Sequence, residues 1–252
     1  MRILFTICGR AGSKGIKNKN LRMFCGKPLA YYTLSAIDLY LKQYGDKVEA
    51  DIAVNSDSKE LLSLLSVNSM RPVYVLNRKL ELADDVTGKI EVIADSYLRM
   101  KRQRGVDYDM VVDLDITSPL RTVKDIVDVV AKHSLSNADV TTTVTQARRN
   151  PYFNQLKKTS HGYKKVIDSQ YTARQQAPEI FDMNASIYAF KPEFLLSGKG
   201  ILDGYCECVE MYDTAVLDLD HENDFELMEV IAGHIYSSNM DYGVIKENIC
   251  NQ

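Results

Sequence analysis

The chain has 252 residues, of which 45% are hydrophobic and 26% charged, and its formal net charge is −3 with a pI near 5.9. These values are typical of one large α/β domain, or of one domain with an insertion, and they argue against general nucleic-acid binding. No apolar run approaches the roughly 18 residues of a membrane helix, no secretion signal opens the chain, and the five cysteines are scattered, so we expect a cytoplasmic protein that does not bind membranes.

The first element is a predicted buried strand over Ile3–Cys8, and a glycine-rich loop follows it. Gly9, Gly12 and Gly15 recur every third residue and let the backbone turn its N–H groups toward an anion. Pro28 then opens a helical pattern. The order of strand, glycine-rich loop and helix favours a phosphate site over a flexible surface turn, although the loop is neither a Walker A motif nor G-x-G-x-x-G.

Positive charge is concentrated around this loop. The first 37 residues carry seven cations and no acid, whereas the remaining residues carry 24 cations against 34 acids. Such a contrast indicates a small polyanionic ligand, most simply a nucleotide triphosphate.

Strand-like and helical runs alternate along the chain, which predicts an α/β fold with a mostly parallel central sheet flanked by helices. Further strands are predicted over Asp51–Asn55, Val73–Leu76, Met110–Leu114, Val140–Thr145, Ala185–Phe190 and Ala215–Leu219. Helices are predicted after Pro28, after Ser58 as an N-cap, over Ile90–Met100, from Val123, from Pro192 and over Phe225–Ile235.

The alternation breaks between about residues 146 and 183, where the sequence is polar and rich in Lys and Arg. A structureless loop of this length is unusual in a compact domain. We interpret it as an inserted excursion of a single 1–252 domain that packs on a second subunit.

Three polar clusters follow predicted strands, at the positions where open α/β sheets bind ligands. They are the basic loop, residues 115–121, and Asp218 with Asp220. Residues two apart in an extended segment point to the same side, so the two aspartates can present their carboxylates together. Two such oxygen ligands beside a phosphate site suit Mg²⁺.

These motifs resemble, in order and over essentially the whole chain, those of the acylneuraminate cytidylyltransferases. The signature is Arg10-Ala-Gly-Ser-Lys-Gly-Ile-Lys-Asn-Lys-Asn-Leu-Arg22 with Gly26-Lys-Pro-Leu29. Four further segments match family motifs: Thr117-Ser-Pro-Leu-Arg121, Arg174-Gln-Gln, Asn184-Ala-Ser-Ile-Tyr188 and Asp218-Leu-Asp220. Within the family, three segments are most similar to those of the enzymes for legionaminic acid: Asp113-Leu-Asp115, Arg148-Arg-Asn-Pro-Tyr-Phe153 and Asp182-Met-Asn.

The resemblance implies a Rossmann-like nucleotidyltransferase fold that transfers CMP from CTP to the anomeric hydroxyl of a nine-carbon 2-keto sugar acid and releases pyrophosphate. It assigns the CTP phosphates and ribose to Arg10, Ser13, Lys14 and Asn20, and cytosine to Arg78 with the backbone from Asp85 to Thr87. It assigns Mg²⁺ to Asp218 and Asp220, with Asp220 also helping to deprotonate the attacking hydroxyl.

For the sugar acid, the resemblance implies Asp115, Thr117, Ser118, Asn184 and Tyr188, with Arg174 and the adjacent Gln175 as further candidates. Arg binds carboxylates bidentately, so Arg174 is the candidate for the sugar carboxylate. In the family the excursion is the dimer element and reaches the neighbouring site, which implies a homodimer with Arg174 acting in trans.

Two departures bear on the substrate. Sialic acid enzymes usually have Gln-Pro where this chain has Asp115-Ile, and Arg-Pro-Asn-Gly-Ala where it has Asp182-Met-Asn-Ala-Ser186. An ionised Asp only accepts hydrogen bonds, so Asp115 requires a donor such as an amide or hydroxyl of the sugar, or else a cation. We therefore expect a legionaminate-type acceptor rather than N-acetylneuraminate.

Several alternatives stay open at this point. The acceptor could be N-acetylneuraminate or another 2-keto sugar acid, such as Kdn, pseudaminate or Kdo, or the enzyme could use a sugar 1-phosphate. A different class of protein, a non-catalytic nucleotide-binding subunit, is disfavoured because both metal-site aspartates are present.

Overall fold

The protein is described by a computed structural model that covers residues 1–12, 15–84, 87–216, 219 and 221–250. The strands β1 to β11 are, in chain order, Arg2–Gly9, Met23–Phe24, Lys27–Pro28, Glu49–Ser56, Tyr74–Asn77, Met110–Leu114, Val140–Gln146, Leu156–Thr159, Gly162–Lys165, Phe181–Phe190 and Cys206–Glu210. The helices α1 to α7 are Leu29–Tyr44, Lys59–Ser66, Lys89–Arg104, Val123–Leu135, Pro192–Leu195, Glu222–Ser238 and Met240–Cys250.

The central sheet has seven strands in the order β11-β7-β10-β6-β1-β4-β5. All neighbouring pairs are parallel except those of β10, which runs antiparallel to both β6 and β7. The predicted mostly parallel sheet is therefore confirmed. The carboxyl ends of its parallel strands share one edge, and the strand order reverses between β1 and β6, which is where such sheets bind ligands.

Helices cover both faces of the sheet. Alternate residues of β1 enter different cores: Ile3, Phe5 and Ile7 pack on the side of α1, α2, α4, α6 and α7, while Leu4 packs on the side of α3 and α5. This alternation follows from the two-residue period of a strand. Among the described residues, no helix has the length and apolar run needed to span a bilayer.

Local signals in the sequence set several helix starts. Ser58 accepts a hydrogen bond from the Leu61 amide, and Thr122 forms a capping box with Asp125 at the start of α4. Pro192 is the first residue of α5, where its missing N–H costs no helical bond. These starts agree with the predicted ones.

The polar excursion contains regular secondary structure that its composition does not predict. A two-stranded hairpin, β8 and β9, is joined through Gly162 at a φ of +96°, and a short 3₁₀ turn spans Arg174–Gln176. The flanking strands extend into it, since β7 ends at Gln146 and β10 begins at Phe181.

The strand predicted over Ala215–Leu219 is wrong. The backbone there forms a 3₁₀ turn over Asp213–Val216, and Leu217 and Asp218 lie outside the described residues. The position beside β7 is occupied instead by Cys206–Glu210, which pairs with it in parallel register. Leu219 is fully buried in the larger core, so the apolar run reflects core packing rather than sheet pairing.

His133 on α4 predicts a measurable acid sensitivity. Its Nδ1 lies 2.9 Å from Thr141 Oγ1, its Nε2 has no hydrogen-bond partner among the described residues, and burial, with Lys191 nearby and against the opposing effect of Asp139, lowers its pKa to about 4. In the unfolded chain the imidazole binds a proton near pH 6.5, whereas in the native state it stays neutral down to about pH 4. The free energy of unfolding therefore falls as the pH drops from 6.5 toward 4, by about 2 kcal/mol between pH 7 and pH 5.

Urea unfolding of the unaltered protein and of His133→Gln across this range checks the assignment. The Gln variant should lose the His-dependent part of the slope while keeping a side chain that can bond Thr141. Equal slopes for the two proteins would show that another group causes the acid sensitivity.

Candidate functional site

Several of the predicted site residues that the structure describes follow strands at the carboxyl edge of the sheet. Gly9, Ser56 and Asn77 end three neighbouring parallel strands in matching register, so Arg10, Asp57 and Arg78 follow side by side. Strand β6 ends at Leu114, one residue before Asp115. Sequence segments up to about 100 residues apart are thereby brought to one edge.

The basic loop leaves β1 through a position that excludes a side chain. A Cβ on Gly9 would lie 2.6 Å from Leu61 Cδ2 and 2.9 Å from Ile116 Cδ1, and Gly12 has a φ of +74°. The Ala11 amide donates to the Asp57 carboxylate at 2.8 Å, so this loop already presents an N–H group to an anion. Both features agree with the predicted anion-binding turn.

Arg10 and Asn20, two predicted phosphate and ribose residues, lie together. Asn20 Nδ2 donates to the Arg10 carbonyl at 3.2 Å, and both residues line a cavity of about 210 Å³ with Ser58 and Leu61. Ser13 and Lys14 lie outside the described residues.

The basic loop contacts the segment that contains the aspartate pair. Lys19 Nζ donates to the carbonyl of Leu219, the residue between the two aspartates, at 2.5 Å. Arg22 Nη1 donates to both carboxylate oxygens of Glu222, at 2.9 and 3.0 Å, and the guanidinium lies 4.6 Å from the Phe225 ring centroid. The two ends of the chain therefore meet at this edge, although Asp218 and Asp220 themselves lie outside the described residues.

Arg78 is held by a relay of buried hydrogen bonds. Its Nε and Nη2 donate to the side-chain and main-chain oxygens of Asn55 at 3.2 and 3.1 Å. Asn55 Nδ2 donates to Ser96 Oγ at 2.9 Å, and Ser96 donates to the Val92 carbonyl at 2.8 Å. Because Ser96 uses its proton on Val92, its oxygen accepts from Asn55, and the Asn55 oxygen is left to face Arg78.

Two hydrogen bonds fix Thr87, two residues before the start of α3. Its amide donates to Asp84 Oδ1 at 2.7 Å, and its hydroxyl donates to the Glu81 carbonyl at 3.3 Å. Asp85, the other predicted base-binding position in this loop, lies outside the described residues.

Asp115 has both of the partner types expected for an ionised acceptor. The Thr117 amide and hydroxyl each donate to its Oδ1 at 2.9 Å, and Lys89 Nζ lies 2.7 Å from its Oδ2. Burial raises the pKa of Asp115, but Lys89 and the Thr117 donors outweigh it and lower that pKa to about 2. The sequence left two partners open for Asp115, a donor on the sugar or a cation, and in the structure Lys89 is such a cation.

Arg121 lies beneath this turn, with 1% of its surface exposed. Its Nη2 donates to the Asp115 carbonyl at 2.5 Å, its Nε to Ser186 Oγ at 3.2 Å, and its Nη1 to Thr33 Oγ1 at 3.4 Å. Burial lowers the pKa of Arg121 to about 10, so the side chain stays charged at neutral pH. Ser118, a predicted sugar-binding residue, is also buried in this turn.

Asn184 and Tyr188 flank an irregularity in β10. The register with β7 shifts between Met183 and Tyr188, and Ala185 has a φ of +53°, which is uncommon for a residue other than glycine. Asn184 Oδ1 accepts from Thr143 Oγ1 at 2.6 Å. The buried Tyr188 turns its ring toward Lys89 Nζ, which lies 5.0 Å from the ring centroid.

Arg174 and Gln175 lie in the 3₁₀ turn of the excursion. Both are exposed on the excursion and line a cavity of about 440 Å³, whose described lining does not include Asp115. Arg174 Nη2 donates to the Ala147 carbonyl at 2.9 Å. Arg148, in the same region, forms an exposed ion pair with Asp213.

The sequence reasoning missed Lys89 and Asn55. Lys89 is the first residue of α3, where the helix dipole disfavours a cation, so its presence there was a signal that a carboxylate lies nearby. Asn55 is a fully buried amide near the end of β4, and such a group must find hydrogen-bond partners.

Comparison with known proteins decides the family. A sequence profile of the family described as cytidylyltransferase matches residues 4–240, nearly the whole chain. The chain belongs to the cytidylyltransferase family. The predicted resemblance is thereby confirmed, and the basic loop, the Arg78 relay and the Asp115 turn are features of a family member.

Similar proteins of the family carry related names. The chain is 32% identical to the CMP-N,N'-diacetyllegionaminic acid synthase of Campylobacter jejuni, over 91% of this chain and 94% of that protein. It is 27% identical to an N-acylneuraminate cytidylyltransferase of Streptococcus agalactiae, over 98% of this chain and 56% of that longer protein.

A solved structure shares the fold. The CMP:2-keto-3-deoxy-manno-octonic acid synthetase complexed with CTP superposes with a TM-score of 0.63 at 13% identity, covering 93% of this chain and 99% of that one. At this identity the likeness concerns the fold alone.

Proposed function

We propose that the protein transfers CMP from CTP to the anomeric hydroxyl of a legionaminate-type nonulosonic acid and releases pyrophosphate. The observation that carries the proposal is the hydrogen bond from Lys19 to the Leu219 carbonyl, because it joins the cationic loop to the segment of the aspartate pair. The 32% identity to a diacetyllegionaminic acid synthase supports the acceptor class.

In this proposal the triphosphate binds on the basic loop. Arg10, Ser13, Lys14 and Asn20 neutralise and orient its phosphates, and the charge that develops as the sugar oxygen attacks the α-phosphorus is stabilised by the same cations. Lys14 suits this role because its ammonium is a compact point charge that can follow the phosphate oxygens. Asn20 supports the arrangement by holding the Arg10 carbonyl.

Asp218 and Asp220 are the residues that would hold Mg²⁺, and hard carboxylate oxygens beside a phosphate site fit this ion. The contact of Leu219 with the basic loop supports their proximity to the phosphates. When bound, the ion would neutralise phosphate charge in the transition state. Asp220 is also our candidate for accepting the proton of the attacking hydroxyl.

We assign cytosine to Arg78 and to the backbone from Asp85 to Thr87. Since the Asn55 relay fixes the guanidinium before CTP binds, little side-chain freedom is lost on binding. Asn55→Leu keeps the branched shape of the side chain but removes both hydrogen-bonding groups, and it should raise the KM for CTP roughly tenfold.

Steady-state kinetics with CTP varied measures the role of Asn55, and the KM for the sugar acid should stay within about twofold as an internal control. An unchanged KM for CTP would show that Arg78 does not depend on Asn55 for its position.

The acceptor acid is assigned to the Asp115 turn and the irregular part of β10, with Thr117, Ser118, Asn184 and Tyr188 beside it. Arg174, with Gln175, is proposed to bind the acid's carboxylate. Its position on the excursion, which we propose reaches a second subunit, favours action in trans.

The excursion also offers apolar surface for a homodimer, which we propose as the assembly in the cytoplasm. Leu156 and Tyr163 on the hairpin are 60% and 68% exposed, and Phe181 at the start of β10 is 43% exposed. Exposed apolar groups of this size on a polar segment favour burial against a partner.

A pyrophosphate-release assay with CTP and Mg²⁺ across acceptors tests the proposal. We expect the highest kcat/KM for diacetyllegionaminate and a lower value for N-acetylneuraminate, the acceptor class suggested by the 27% identical relative. A higher kcat/KM for N-acetylneuraminate would overturn the acceptor assignment, and CTP binding without turnover on any acid would favour a non-catalytic nucleotide-binding subunit.

A further inference from the structure

Lys89 bridges two carboxylates at the end of β6. Its Nζ lies 2.9 Å from Asp113 Oδ2 and 2.7 Å from Asp115 Oδ2. Asp113 belongs to the buried strand and Asp115 to the turn that follows it, so a single cation from α3 ties the strand to the turn.

Asp113 makes this cation necessary. It is fully buried, its Oδ1 accepts from Thr6 Oγ1 at 2.7 Å, and its Oδ2 faces the Lys89 ammonium at 2.9 Å. Two carboxylates so close together repel each other unless a cation lies between them. Lys89 lies within ion-pair distance of both carboxylates and so offsets this repulsion.

The other charged or titratable groups around the cluster leave it balanced. Arg121 is close enough to both aspartates for its pKa to respond to them, so two cations face two carboxylates. Burial raises the pKa of the Cys8 thiol and of the Tyr188 phenol, which keeps both groups neutral. The charge of Arg78 lowers the pKa of Cys8, but burial has the larger effect.

Asp115 retains acceptor capacity toward solvent. Its Oδ1 is bonded by Thr117 and its Oδ2 by Lys89, while 23% of its side chain is exposed. A carboxylate offers about four lone-pair sites, so a ligand can still bind there. Such a ligand group must be a donor, either a hydroxyl or an amide N–H.

We propose that Lys89 is a positioning residue that sets acceptor specificity: by pairing with Asp113 and Asp115 together, it fixes the Asp115 carboxylate as a hydrogen-bond acceptor for an O–H or N–H group of the sugar acid. The inference rests on the proposed function, since it takes the acceptor contact at Asp115 from it. It adds Lys89 to the assigned site, and it makes an O–H or N–H donor on the acid a requirement for binding at Asp115.

The test compares Lys89→Met with Lys89→Met/Asp113→Asn. The single variant leaves two carboxylates against Arg121 alone and should raise the KM for diacetyllegionaminate roughly tenfold, with the KM for CTP within about twofold of the unaltered value. The double variant restores the charge balance and should bring the KM for the acid back to within roughly threefold.

Lys42→Met is the matched control, because Lys42 also pairs with a fully buried carboxylate, Asp38, at 2.7 Å, but on α1. It should leave both KM values unchanged. CTP binding measured by calorimetry reports whether each variant is folded. If Lys89→Met does not fold, the double variant is the test, and a KM for the acid raised by more than roughly threefold in it would overturn the inference.

The outcomes separate the two hypotheses. Turnover by the unaltered protein with an unchanged KM for the acid in Lys89→Met would overturn the inference alone. So would a raised KM that the added Asp113→Asn does not lower, because Lys89 would then contact the substrate directly. Absence of turnover by the unaltered protein on every acid would overturn the proposed function and, with it, this inference.

Discussion

Lys14→Ala should lower kcat by roughly a hundredfold, the equivalent of about 3 kcal/mol of transition-state stabilisation. The ammonium group is proposed to contact phosphate oxygens whose charge grows as the α-phosphorus is attacked, so its loss should affect kcat more than the KM for CTP. Initial rates of pyrophosphate release at saturating CTP and acid measure the effect.

Lys17→Ala is the matched control for Lys14, since Lys17 is an exposed cation of the same loop. It lowers the loop's charge by the same amount and should change kcat by less than about threefold. Near-normal turnover in Lys14→Ala, or equal losses in the two variants, would mean that Lys14 supplies only general positive charge.

Arg121→Met should lower the free energy of unfolding by on the order of 3 kcal/mol, because the Asp115 carbonyl keeps only its Thr33 donor and the two nearby carboxylates lose one of their two cations. Methionine nearly fills the space, so the loss reflects hydrogen bonds and charge rather than a cavity. Urea unfolding at pH 7.5 measures the change.

Arg121→Lys keeps the charge but cannot reach Asp115, Ser186 and Thr33 with one planar fork. It should fall between the unaltered protein and Arg121→Met. A stability change below about 1 kcal/mol in Arg121→Met would show that the turn keeps its conformation without the guanidinium.

The buried sheet was largely predictable from the sequence. Fully buried parallel strands appear as short apolar runs, and Met110–Leu114 was predicted with the same limits that the structure has. The cap at Ser58 and the first turn of α6, with Glu222 and Asp224, were predictable from side-chain chemistry alone.

Apolar character alone could not distinguish a strand from other buried backbone. Ala215–Leu219 was predicted as a strand, whereas its backbone turns at Asp213–Val216 and buries Leu219 in the helical core. Conversely, Leu156 and Tyr163 are the only large apolar residues of the hairpin β8–β9, and both are exposed, so its sequence carries no hydrophobic period to detect.

Contacts within the candidate site depend on tertiary structure in the same way. The sequence indicated that Asp115 needs a donor or a cation, but Lys89 is 26 positions away and on a different element. Their meeting follows from the reversal of strand order between β1 and β6, which no local pattern specifies.

The central claim is that the basic loop and the aspartate pair bind one metal–CTP complex. Crystals grown with CTP and Mn²⁺, which reports its position by anomalous scattering, test it directly. We predict a peak about 2.1 Å from a carboxylate oxygen of Asp218 or Asp220 and from a CTP phosphate oxygen, with Lys14 on the same triphosphate. An ion bound away from both aspartates, or a triphosphate that does not contact the loop, would contradict the account.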